Sequence, residues 1–127
     1  MTTLLSWLWQ LPQHLLAVVL LALPMLDSRI ERTGRHNHTT VVRLLGVGWG
    51  VSLGNYILLD TRYPSKTVAH EYGHSRQSLM LGPLYLIAVG LPSITMNILT
   101  RLKVLKSENY YKRWPENWAD RLGGVKR

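Results

Sequence analysis

Apolar residues gather in three stretches along the chain, and each is broken in a different way. The first runs from Leu4 to Leu26, with Trp7 and Trp9 near its start and an unbroken block from Leu15 to Leu23, while Gln10, Pro12, Gln13 and His14 sit inside it. A spanning helix needs about 20 predominantly apolar residues. The pattern therefore predicts an N-terminal apolar, membrane-associating helix over residues 1–28, either lying at the interface or crossing at a tilt. The second stretch, Val41 to Leu59, is punctuated by Arg43, Gly46, Gly48, Gly50 and Gly54. Its runs at 39–45 and 51–59 are rich in β-branched and aliphatic residues, and the glycines between them predict a short β-hairpin. The third, Gln77 to Thr100, carries no charged residue but is divided by Gly82-Pro83 and by Gly90-Leu91-Pro92-Ser93. Proline inside a helix costs ~3 kcal/mol or more, so two shorter segments joined by a turn are expected.

Between the second and third stretches the spacing changes to a helical one. Pro64 disfavours helix at Tyr63, Ser65 or Thr67 is the expected N-cap, and Gly82-Pro83 closes the far end. On this helix His70, His74, Gln77 and Ser78 form a polar stripe, with Val68, Tyr72, Leu79 and Met80 facing apolar surroundings. Gly73 in its middle costs ~1 kcal/mol relative to Ala, which close approach of another backbone would offset. A second, short helix is expected near the C-terminus, with Pro115 at its first position and Gly123-Gly124 at its end.

Composition narrows what these elements surround. The 127 residues include no Cys, which excludes a disulfide framework, a thiolate metal site and a cysteine nucleophile. The formal net charge of +8 suits an anionic partner. Five Trp, no Phe and long apolar stretches, with no recognisable nucleic-acid-binding motif, favour lipid over nucleic acid. No Lys or Arg precedes the first apolar stretch and Pro24-Met25-Leu26 is a poor cleavage site, which argues against a cleaved signal peptide. Arg29, Arg32 and Arg35 follow it, an excess over Asp27 and Glu31 that favours the cytoplasmic side for residues 29–127 if the segment spans.

The chemistry sits in His70-Glu71-Tyr72-Gly73-His74. Residues i and i+4 of a helix lie one above the other, so both imidazoles reach one metal while Glu71 reaches toward a water on it. Catalytic zinc commonly takes three protein ligands and leaves one position open, so a third group is required. Glu116 supplies it, and Asp120, four residues on and on the same face, is placed to accept the free ring N–H of a ligand histidine. The small Ala119 between them permits the two helices to pack closely.

His70-Glu71-x-x-His74 followed by Glu116-x-x-Ala119-Asp120 resembles the gluzincin pattern of thermolysin-like zinc peptidases. The resemblance implies zinc held by His70, His74 and Glu116, Glu71 as general base, Asp120 as the acidic partner of the first histidine, and a peptide or protein substrate. It also implies a mainly α (α+β), minimal zincin-like domain over residues 29–127, in which the strand at 51–59 pairs with substrate. The last 80 or so residues, in stretches such as His70 to Ser78, Leu81-Gly82-Pro83-Leu84-Tyr85 and Trp118 to Gly124, further resemble small bacterial membrane-associated proteins of metallopeptidase character. That likeness implies the inner membrane with the site on its cytoplasmic side. Tyr110 and Tyr111 are the nearby candidates for an oxyanion stabiliser, with His36 and His38 more remote. Two other readings stay open: a non-catalytic membrane-associated metal-binding or interaction protein docking through Arg101, Lys103, Lys106, Lys112 and Arg113, and a toxin-like effector peptidase.

Overall fold

A four-stranded sheet covered on both faces organises the chain. The computed structural model describes residues 3–26 and 30–127, in the order α1 (Thr3–Trp9), α2 (Leu11–Leu26), β1 (Ile30–His36), β2 (Thr39–Leu44), β3 (Gly50–Leu53), β4 (Tyr56–Asp60), α3 (Ser65–Leu81), α4 (Leu91–Arg101) and α5 (Glu116–Gly123). The protein is thus mixed α+β. Strand order is β1-β2-β4-β3, antiparallel at β1–β2 and β3–β4 and parallel at β2–β4. The expected hairpin between 39–45 and 51–59 does not form. Instead the second run folds on itself at Gly54-Asn55, where Gly54 takes a positive φ of 69°. A two-residue turn with glycine at its first position outcompetes the longer connection, and β4 then lies parallel beside β2.

Side chains alternate across this sheet. Val42, Leu44 and Leu58 pack with Ala17 of α2 on one face, and Val41, Ile57 and Leu59 with Val68 of α3 on the other. Burial on both faces explains why β4 reads as an almost continuous apolar run. Each of its fully buried aliphatic side chains contributes about 1.5–3 kcal/mol. The sheet ends in an ordered corner. The Asp60 carboxylate accepts from the backbone N–H of Gly48 (2.9 Å) and of Arg62 (2.9 Å) and pairs with the Arg62 guanidinium at 3.0 Å. Hydrogen bonds from Arg62, then from Gly48, hold the carboxyl well below the usual carboxylate range.

The helices depart from expectation in instructive places. α3 starts after Pro64 with no side-chain cap, so Ser65 and Thr67 lie inside the helix and neither is its N-cap. Met80, expected against apolar surroundings, is 52% exposed. At the far end Gly82 takes a φ of 56°, and a single 3-10 turn follows. The turn expected at Gly90-Leu91-Pro92-Ser93 is helical. A π-helical turn over Leu86–Gly90 runs directly into α4, whose first turn holds Pro92. Pro92 costs this continuous helix one backbone hydrogen bond and crowds the turn before it, and that turn is the π-helical one.

α1 and α2 turn the expected polarity inside out. Gln10, Gln13 and His14 are fully buried, whereas Leu15, Val18 and Val19 are 56%, 62% and 65% exposed. The Gln13 amide donates to Ser78 Oγ (2.9 Å) and to the Gly82 carbonyl (2.7 Å), and Gln10 Oε1 accepts from Ser78 Oγ. His14 Nε2 accepts from the Asn55 N–H at 3.0 Å while Nδ1 faces the Trp7 carbonyl at 2.8 Å. The polar interruptions of the first apolar stretch are therefore its attachment points to α3 and to the β3–β4 turn. Among the described residues no helix is long and apolar enough to cross a membrane. Asp27 and Arg29 lie outside those residues, and Arg32 and Arg35 belong to β1.

Candidate metal centre

Two glycines set the distance between the helices that carry the site. A Cβ on Gly73 of α3 would overlap the Ala119 carbonyl of α5, and one on Gly123 would overlap the Ala69 carbonyl. The close approach expected at Gly73 is thus present, against a fully buried Ala119. α5 begins at Glu116, so Pro115 precedes the helix instead of opening it, and Gly124 ends it in a left-handed conformation with a φ of 74°.

This seam brings His70, His74 and Glu116 together, all buried, with one ligand atom from each within 4.8 Å of the others. His70 Nε2 lies 2.7 Å and His74 Nε2 2.8 Å from the same Glu116 oxygen, Oε2. The opposite ring nitrogens are also engaged. His70 Nδ1 is 2.7 Å from Asp120 Oδ1, and a carboxylate only accepts, so Nδ1 carries the proton. For His74 the tautomer follows from a chain of contacts. Gln77 Nε2 donates to the Pro115 carbonyl (3.2 Å), which turns Gln77 Oε1 toward His74 Nδ1 at 2.7 Å and makes that nitrogen the donor. Each Nε2 then donates to Glu116 Oε2, and a cation taking the place of those protons would meet both Nε2 lone pairs and the carboxylate at one point.

The remaining contacts hold the carboxylates in place. Ser93 Oγ and Tyr110 OH (3.2 Å) donate to Glu116 Oε1, leaving Oε2 to the histidines. Arg127 grips Asp120 through Nε (2.7 Å) and Nη2 (3.0 Å), and its guanidinium stacks 3.3 Å above the Tyr111 ring. Burial opposes charge on Glu116, but hydrogen bonds from His70 and His74 outweigh it and keep the carboxylate ionised. Burial likewise opposes charge on His74, yet Glu116 and Glu71 hold its imidazolium up to about 9. Glu71 is different: burial pushes its carboxyl up, only partly countered by His74 and His70.

Glu71, His70 and His74 line a cavity of about 570 Å³, within the size range of small-molecule and peptide-side-chain sites. Tyr110 and Tyr111 line it too, and Tyr111 packs edge-on against His70 with ring centroids 5.1 Å apart. Burial, then Glu116, pushes the Tyr110 hydroxyl up, so it remains a donor. His36 and His38 flank Tyr72 and do not line this cavity. His38 Nε2 instead meets Ser75 Oγ at 2.9 Å. Gln77 and Ser93 were not legible as site residues. Gln77 stands three residues after His74, the one available signal, whereas nothing in the sequence ties Ser93 to Glu116. A donor set of two imidazoles and one carboxylate suits zinc. No family model matches the chain, and neither a curated protein nor a solved structure does, so its functional reading rests on this donor geometry.

Proposed function

We propose that the chain is a zinc-dependent peptide hydrolase acting at a membrane, with a minimal zincin-like arrangement of α3, α5 and the sheet. The observation that supports this best is the convergence of both Nε2 atoms on Glu116 Oε2 beside a cavity that Glu71 also lines. His70, His74 and Glu116 would hold the ion. The chemistry zinc supplies when held there is polarisation of a carbonyl and acidification of water to a pKa near ~7.

The chain's own groups account for the rest. The Glu71 carboxylate takes a proton from the attacking water and delivers it to the leaving amine nitrogen, a role to which a carboxyl raised by burial is suited. Asp120 and Gln77 keep the ligand imidazoles in one tautomer and one orientation. Tyr110 gives its single O–H to Glu116 Oε1, so Tyr111, on the same cavity wall, is the phenol we assign as donor toward developing negative charge. β3 is an edge strand on the same cavity, where an extended peptide would find backbone partners whatever its sequence. Exposed apolar side chains of α1, α2 and α4 support the membrane location.

Metal content and hydrolysis of a mixed peptide library test this reading together. One zinc per chain is expected for wild type and for Glu71→Gln, with hydrolysis only in the former. His70→Ala, His74→Ala and Glu116→Ala are expected to lose the metal. Equal hydrolysis by wild type and Glu71→Gln removes the general base, and stoichiometric zinc in Glu116→Ala removes the third ligand.

A further inference from the structure

The cavity beside the candidate metal centre has a mixed lining, with Asn97 and Arg101 of α4 adding polar groups to those of the site. Its floor carries His70, Glu71 and His74, while its walls include Leu16 and Leu20 of α2 and Ile94 and Ile98 of α4. Three of those wall residues also belong to the molecular surface: Leu16 is 37%, Ile94 54% and Ile98 50% exposed. The lining therefore reaches the molecular surface at apolar residues of α2 and α4, and it is there that we place the mouth of the cavity. On one side of the mouth the apolar face continues through Leu15, Val18 and Val19 of α2, and on the other through Leu91 of α4.

Three further features say what covers this face. α2 keeps its polar side chains on the inside, with the Gln13 amide and both His14 ring nitrogens engaged by the protein, and turns only apolar ones outward, an arrangement suited to hydrocarbon surroundings. At the end of α4 the exposed cations Arg101, Lys103 and Lys106 alternate with Leu102 and Val104, each 67% exposed, a pattern that places apolar side chains beneath anionic headgroups. Finally, α2 has 16 residues and is about 24 Å long, short of the roughly 30 Å of a hydrocarbon core. The face is thus suited to one leaflet.

Resting on the hydrolase reading above, we propose that the substrate is a membrane-embedded polypeptide whose apolar segment reaches the site from the bilayer, between α2 and α4. A chain leaving the leaflet at this mouth meets apolar walls that accept its side chains without first exposing them to water. Deeper in, it meets the edge strand β3, whose residues Gly50 to Leu53 all line the cavity. The scissile bond lies close to the end of the apolar segment, because Glu71 stands in the same cavity as Leu16 and Ile94.

Three reporters carrying one mixed-sequence cleavage region separate the possibilities, assayed with full-length zinc-loaded protein on phosphatidylcholine–phosphatidylglycerol vesicles. In the first the region adjoins an apolar 20-residue helix, in the second a 30-residue polar linker separates the two, and in the third the helix is absent. The first is expected to be cut at least tenfold faster than the second, although both are equally concentrated on the vesicle. Ile94→Trp with Ile98→Trp, which narrows the mouth, is expected to abolish that preference with zinc content unchanged. In Glu71→Gln a photo-crosslinker at position 16 is expected to capture the first reporter only. Equal cutting of all three by wild type, with Glu71→Gln inactive, overturns bilayer entry while the hydrolase stands. No cutting of any reporter overturns the hydrolase and the inference with it. A chain that dimerises through this face and stays off vesicles overturns bilayer entry alone.

Discussion

One oxygen of Glu116 faces two imidazoles because the other is occupied, by Ser93 and Tyr110. The same division of labour recurs on each histidine, whose Nδ1 is tied back so that Nε2 points inward. On the proposed reading, affinity for zinc would then depend on residues that never touch it. Asp120→Ala and Gln77→Ala are each expected to weaken zinc binding 10- to 100-fold with the fold intact, read by competition with a chromophoric chelator. Asp120 was legible because it shares a helix face with Glu116. The part played by Gln77 was not, since it depends on the Pro115 carbonyl, which only the packing of α5 on α3 brings within reach.

At the level of elements, α3 and α5 were readable because glycine and proline punctuate them and one helical face carries the chemistry. β1 was not: five consecutive residues, Glu31 to Arg35, are exposed, so the strand offers no apolar alternation to read. The pairing of β2 with β4 was equally hidden, because parallel neighbours give no local turn signal. Two predictions belong here. Gly73→Ala forces α3 from α5 and is expected to cost about 1–3 kcal/mol, seen as a lowered thermal midpoint. Asp60→Asn tests the corner after β4. A carboxyl whose folded pKa is depressed stabilises fully above its unfolded value of about 3.9, and that contribution is lost as pH falls toward the folded one. The stability gap between wild type and Asp60→Asn, measured by urea unfolding, is therefore expected to be widest near neutrality and to shrink below about pH 4.

On the scale of the whole molecule, polar attachment and apolar exposure share the same two helices. Val18→Glu with Val19→Glu leaves the Gln10, Gln13 and His14 contacts untouched and is expected to move the protein from the membrane fraction into the wash. Arg101, Lys103 and Lys106 changed together to Gln are expected to make retention less sensitive to salt, since screening then has less to weaken. Hydropathy marked the N-terminal stretch as membrane-seeking but not which side of it faces protein, because the contacts that tie Gln10, Gln13 and His14 to the rest of the fold lie 41 to 69 positions away. The glycine seam has a consequence of its own. With Gly73 against Ala119 and Gly123 against Ala69, the spacing of the three donors is gauged by main chain on main chain. The long excursion from Gly82 to Trp114 does not serve as the ruler. Insertions or deletions there that spare Ser93, Tyr110 and Tyr111 would reshape the entrance while leaving the three donors in place, so what the chain would accept and what it would hold are free to diverge separately.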